Sequence, residues 1–154
     1  MHFSLPWFRI GAILGGLAVA FGAFAAHGLD QYFPQKYADA PPKKVAGLEV
    51  PASWKYLQDF KTGAEYQMYH SLALLAVGLA AVRATRRRAL DVAGWCFLLG
   101  IVLFSGSLYV LTLTGDKYWG AVTPFGGVLF LVGWAALVAA GVDQLVATRN
   151  GGAE

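Results

Sequence analysis

The sequence predicts an all-α integral membrane protein, a four-helix bundle with a short interfacial helix in its first loop. Three observations lead there. Hydrophobic residues make up 57% of the chain and charged residues only 14%, against about a quarter charged in ordinary soluble domains. A soluble chain of 154 residues would be one small domain, whose core cannot hide that much apolar side chain. Finally, four apolar runs approach or exceed the roughly 20 residues needed to cross a hydrocarbon core of about 30 Å. None alternates with a period of two, and lipid admits only helices or closed barrels, so the spans are helical.

The first run, residues 10–29, holds His27 as its only ionisable group. Ala23-Phe24-Ala25, preceded by Arg9, resembles a signal-peptide cleavage site, but the run exceeds a usual signal core and is read as a retained helix. Gly11 and Gly15, continued by Ala18 and Gly22, form a small face for helix packing. In the outer loop, residues 30–64, Pro34, Pro41, Pro42 and Pro51 are expected to break any regular element before Ala52. Ser53 then caps a short helix in which Trp54, Leu57 and Phe60 recur at i, i+3 and i+6. That helix either lies on the outer leaflet or packs as a lid on the bundle.

The second run, residues 66–82, is the shortest and carries Gln67 and His70. Runs 92–114 and 120–142 contain no charge. With their flanks the helices are expected at about 8–29, 65–83, 90–114 and 119–143, in one transmembrane domain covering 1–154. Val77-Gly78-Leu79-Ala80-Ala81 echoes Val132-Gly133-Trp134-Ala135-Ala136. Either two hairpin repeats or chance similarity between Gly/Ala-rich helices explains it.

Arg83, Arg86, Arg87 and Arg88 follow the second run directly and belong in the cytoplasm, which puts both termini inside. Trp95 then falls at the inner interface, and Tyr118 and Trp119 at the outer one. The net charge of +3 is thereby assigned to topology and to anionic lipid near the arginine cluster, not to nucleic acid.

Little in the chain points to catalysis. Cys96 is the single cysteine, so an intrachain disulfide, a dithiol centre and a cysteine zinc module are excluded. Phosphate-binding loops, zinc-protease motifs and dinucleotide fingerprints are absent. What remains is a set of polar residues in the outer half of the spans: His27, Gln67, His70, Ser105, Ser107, Tyr109 and Thr123. His70 is expected about four residues inside its span, roughly 6 Å deep at 1.5 Å per residue. Intramembrane ionisable groups turn towards the bundle or a wet cavity, so a shared outward pocket is expected. The plainer readings are that the hydroxyls bond carbonyls one turn back and that Gln67 and His70 make interhelical hydrogen bonds. Glu65 lies about 140° round the helix from His70 at 100° per residue and is a poor partner for it. Two histidines on neighbouring helices also raise the possibility of haem ligation.

Four segments resemble a known family. They are Phe21-Gly22-Ala23-Phe24-Ala25-Ala26-His27-Gly28-Leu29, Tyr66-Gln67-Met68-Tyr69-His70-Ser71-Leu72-Ala73-Leu74-Leu75, Leu103-Phe104-Ser105-Gly106-Ser107-Leu108-Tyr109 with Leu113-Thr114-Gly115, and Thr123-Pro124-Phe125-Gly126-Gly127 with Gly133-Trp134. In this order they are similar to domain of unknown function 423, the YgdD-like small bacterial inner-membrane proteins, with a eukaryotic relative called transmembrane protein 256. The chain departs from the family in a longer, proline-rich first loop and in reading Phe-Ala-Ala-His where Phe-Gly-Ala-His is more usual. The resemblance implies a four-helix protein of the bacterial inner (plasma) membrane and brings no activity or cofactor. It does place His27, Gln67, His70, Ser105, Ser107, Tyr109, Thr123 and Pro124 inside the family's motifs. The expected function is therefore a non-enzymatic accessory or small-solute-binding protein with an outward-facing polar pocket. The alternatives are a small oligomeric transporter or channel and a bis-histidine haem electron carrier. The lipid bilayer is the expected partner, and a homo-oligomer or a membrane complex remains open.

Overall fold

The computed structural model describes residues 5–84 and 87–151. Arg86 and the side chain of Arg83, both in the expected anionic-lipid cluster, lie outside what is described. Helix α1 (Leu5–Phe24) passes through a π-turn at Ala25–Leu29 into α2 (Asp30–Lys36). A hairpin of β1 (Lys43–Val45) and β2 (Leu48–Val50) follows, antiparallel, with Lys44 opposite Glu49. Helix α3 (Ala52–Arg83) returns across the bundle. Helix α4 (Arg88–Gly100) then leads through a second π-turn, Ile101–Ser105, into α5 (Gly106–Thr114), and α6 (Tyr118–Gly151) closes the chain. The rods run up, down, up and down. The end that carries the β-hairpin is called the loop end below, and the other the terminal end.

Three of the rods are long and apolar enough to cross a membrane: Pro6–Lys36, Arg88–Thr114 and Tyr118–Gly141. Helix α3 is more polar because it is the hub. It packs on α1, α4, the second π-turn and α5, and this shields Gln67, His70 and Ser71 from lipid. The echo segments occupy the second rod of each helical hairpin, where Gly78 lies against Phe8 and Gly133 against Phe97. Of the small residues on α1, Gly11 sets the closest approach: a Cβ there would lie 2.7 Å from the Ser71 carbonyl oxygen.

Two expectations about the first loop are corrected. The interfacial helix and the second span form one continuous helix from Ala52 to Arg83, with Pro51 rather than Ser53 at the N-cap and no side-chain cap bond. No proline interrupts residues 52–83. Leu57 and Phe60 bury against Ala25, Leu29 and Phe33, so the segment packs on the bundle while Trp54 stays 46% exposed. The prolines also fail to abolish regular structure. Pro34 sits within α2, where its ring forfeits only the bond to the Asp30 carbonyl. The β-hairpin forms because Ala46 and Gly47, at φ 48° and 84°, supply the paired positive φ of a tight two-residue turn.

The core has two parts. Near the terminal end Trp7, Leu74, Val77, Leu90, Phe97 and Phe130 pack together, and the Trp7 indole donates to Asp91 at 3.1 Å. Near the loop end Phe33, Tyr56, Leu57, Phe60 and Leu108 do the same. There the Tyr37 hydroxyl donates to the Thr112 carbonyl at 2.7 Å. Burial, with the Tyr56 and Tyr32 phenols nearby, pushes that hydroxyl up to about 12.

Candidate functional site

The polar residues singled out from the sequence fall into three places. Gln67 and His70, three apart on α3, share a face, and both are buried, at 3% and 5% exposure. The Gln67 amide donates to the Leu14 carbonyl of α1 at 2.8 Å. Its Oε1 accepts from the Tyr109 hydroxyl of α5 at 2.9 Å. One side chain thus ties three helices. The His70 imidazole lies flat on Phe130, with ring centroids 3.4 Å apart and planes 5° apart. Its Nδ1 is 2.8 Å from the Tyr66 carbonyl, and its Nε2 is 3.2 Å from the Trp134 indole nitrogen. A carbonyl only accepts and an indole only donates, so the ring is the neutral Nδ1–H tautomer with both nitrogens engaged.

Because the short helix and the second span are one rod starting at Ala52, His70 stands roughly 27 Å along α3 at 1.5 Å per residue. His27 is elsewhere: it is exposed, on the first π-turn, whose Ala25 and Leu29 pack with Tyr56 and Leu57. Some 20 Å of α3 separates that level from His70. The two histidines therefore do not face each other as haem ligands. Among the described residues no three His, Cys, Asp or Glu side chains gather as a metal would require.

The third place is the α5–α6 contact. Ser107 and Thr123 share a hydrogen bond of 2.8 Å between their hydroxyls, and Ser107 also donates back to the Phe104 carbonyl. Pro124, next to Thr123, is exposed in the first turns of α6. Thr112, Thr114 and Ser71 donate to carbonyls one turn back, the plainer of the two readings offered for hydroxyls in spans. Ser105 is fully buried, and its hydroxyl is the one buried side-chain polar atom among the described residues that has no partner. Glu65 faces outward, away from His70.

Gln67, His70, Tyr109, Ser107 and Thr123 thus form a helix lock, which His27, Pro124 and the unpartnered Ser105 hydroxyl do not join. Sequence reasoning missed its other half: Trp134, Phe130 and the Leu14 carbonyl. Phe130 and Trp134, one helical turn apart in an otherwise aliphatic stretch, were the available signal. Open space is found at the loop end instead. A cavity of about 520 Å³ is lined by Pro34, Tyr37, Pro42, Glu49, Val50 and Ser53, among others. A second, of about 210 Å³, shares Pro34, Pro51 and Ser53 with it and adds Phe33, Trp54 and Leu57.

With the geometry described, comparison with known sequences decides the family. The profile of a family described as "Protein of unknown function (DUF423)" matches residues 21–127. The chain belongs to that family. Individual relatives cover more than four-fifths of the chain. The UPF0382 membrane protein YwdK of Bacillus subtilis is 41% identical over 136 residues, 88% of this chain and 95% of its own length. The UPF0382 membrane protein SSP2132 of Staphylococcus saprophyticus is 43% identical over 129 residues, 84% and 90% of the two chains. A UPF0382 membrane protein of Haemophilus influenzae is 42% identical over 127 residues, 82% and 85%. No solved structure matches. The DUF423 match opens at Phe21 and ends at Gly127, so it takes in His27, Gln67, His70, Ser105, Ser107, Tyr109, Thr123 and Pro124.

Proposed function

We propose that this DUF423 protein is a non-catalytic accessory component of the bacterial inner membrane, with both termini in the cytoplasm and a small-solute site at its outward loop end. The observation that carries the reading is the loop-end cavity. Its 520 Å³ is within the range of small-molecule sites, about 300–1,000 Å³. Tyrosine and proline faces beside the Glu49 carboxylate and the Ser53 hydroxyl offer an apolar wall with a few polar anchors. The polar core supports a non-catalytic role, because apart from the Ser105 hydroxyl its buried side-chain donors and acceptors are engaged with one another or with main-chain carbonyls. The same closure counts against a polar lane through the bundle, which a single-chain channel needs.

Orientation is supported by how the cations divide. Among the described residues, Arg9, Arg83, Arg87, Arg88 and Arg149 belong to the terminal-end segments, and Lys36, Lys43, Lys44, Lys55, Lys61 and Lys117 to the loop-end segments. The lysines are matched there by Asp30, Asp39, Glu49, Asp59, Glu65 and Asp116. The arginines crowd a short connection close to spans, where the positive-inside rule acts.

Single cysteines in a Cys96→Ala background test both halves of the proposal. Glu49→Cys and Ser53→Cys are expected to react with a membrane-impermeant maleimide added to intact cells. His70→Cys and Ser105→Cys are expected to stay silent from either side, being buried. Labelling of the first pair only after the membrane is opened would overturn the orientation. A thermal-shift screen of small organic solutes against the purified protein completes the test. The expected hit raises the wild-type midpoint and leaves that of Ser53→Trp, which fills the cavity, unmoved. A hit that shifts both equally places binding elsewhere.

A further inference from the structure

The close approach of α1 and α3 provides a common scale of depth. Gly11 of α1 faces Ser71, and Gly15 faces Ser71 and Met68. The Leu14 carbonyl takes the Gln67 amide, and Phe21 and Phe24 meet Phe60. On this scale Glu65 stands level with Ala18, and Lys61 with Gly22. These four residues, with Ala64 and Met68, line a side groove of about 270 Å³. Along α1 the Ala18 level is roughly 18 Å from Asp30 and 20 Å from Leu5, and the Gly22 level roughly 12 Å and 26 Å, at 1.5 Å per residue. Any hydrocarbon slab of about 30 Å set between Leu5 and Asp30 therefore contains both charges.

Charged side chains at that depth normally turn inward or pair with one another. Lys61 and Glu65 do neither. Glu65 is exposed and Lys61 half-buried, and the one ion pair among the described residues joins Lys55 to Asp59. The floor between them is small: Ala18, Gly22 and Ala64 let another backbone approach closely. The outward face of α3 continues past Glu65 through Tyr69 and Leu72, both 54% exposed.

We propose that this groove is the interface for a second copy of the chain, with Lys61 of each protomer paired to Glu65 of the other about a two-fold axis along the membrane normal. Such an axis keeps every residue at its own depth, so Lys61 of one protomer reaches Glu65 of the other diagonally rather than on the level, and symmetry forms the reverse pair. The diagonal offset is one helical turn, within reach of the flexible four-carbon lysine stem. Association removes both charges from lipid together. A phospholipid fits less well. In the leaflet nearer the loop end its ammonium lies outermost and its phosphate below, whereas the groove presents lysine outermost and glutamate deeper. The inference is independent of the loop-end cavity and of which way the bundle faces.

Disulfide trapping of Tyr69→Cys in the Cys96→Ala background, in native membranes, reads the contact directly. A crosslinked dimer is expected from the otherwise unchanged chain. Lys61→Glu or Glu65→Lys alone should lower its yield at least about fivefold. The double reversal, or co-expression of the two single reversals, should restore it to within about twofold. Gly22→Leu has nothing within 4 Å of its Cβ, so it fills the groove without disturbing the fold, and it should lower the yield with both charges intact. The proposal fails if the Tyr69→Cys protein stays monomeric, if single reversals leave the yield unchanged, or if the double reversal does not recover it. A monomeric wild type that retains a phospholipid, and loses it in Gly22→Leu, assigns the groove to lipid instead.

Discussion

His70→Ala is expected to destabilise the bundle by about 3 kcal/mol, the combined effect of a cavity left in the core and an orphaned indole donor. The ring is stacked on Phe130, lies tilted beside Phe97 with centroids 5.6 Å apart and accepts from Trp134, so its removal loosens α3 from α4 and α6 at once. His70→Phe separates the two contributions. It keeps an aromatic ring over Phe130 and loses the acceptor, and about 1 kcal/mol should be lost, in keeping with the modest worth of hydrogen bonds inside membranes. Reversible denaturant unfolding in mixed micelles, followed by tryptophan fluorescence, measures both. A double-mutant cycle with Trp134→Phe should return a coupling of about 1 kcal/mol. A His70→Ala protein within about 0.5 kcal/mol of wild type, the scatter of ordinary surface changes, would show that the stack is not a packing centre.

Gly126→Ala should cost a similar amount, about 2–3 kcal/mol, by overpacking. The added methyl would collide with the backbone nitrogen of Phe104 and stand 2.8 Å from its Cα. Backbone cannot rotate away as a side chain can, so α6 must lift from the second π-turn, pulling Thr123 from Ser107. Gly120 on the same helix is the control, because a Cβ there meets nothing within 4 Å. Gly120→Ala should be neutral or slightly stabilising, by up to about 1 kcal/mol from helix propensity. Equal effects at the two positions would mean that α6 is not seated on Phe104.

Runs 92–114 and 120–142 are legible from sequence because rods facing lipid must be apolar for their whole length. Helix α3 obeys a different rule. Its partners shield Gln67, His70 and Ser71, so composition hides that the short helix expected from Ser53 and the second run are one continuous rod. The candidate residues were recognisable as polar groups in costly surroundings, but not who bonds whom. Gln67 reaches a main-chain carbonyl, which no side-chain pattern reveals, and Trp134 looks like an ordinary aliphatic-helix aromatic until its indole nitrogen is found beside His70. His27 was grouped with these because sequence distance from a span end says nothing of which side of the bundle a π-turn faces.

The second π-turn, Ile101–Ser105, amounts to one extra residue spliced into an otherwise regular rod. Helical phase advances about 100° per residue, so everything after the splice is rotated relative to what an uninterrupted rod would show. Below it Ala93 and Phe97 point to the terminal-end core; above it Tyr109 meets Gln67 and Ser107 meets Thr123. Shortening this segment by a single amino acid would leave hydropathy, length and charge almost untouched, yet it would swing Tyr109 and Ser107 out of register together. For this rod the spacing between motifs is as much a part of the message as the motifs themselves.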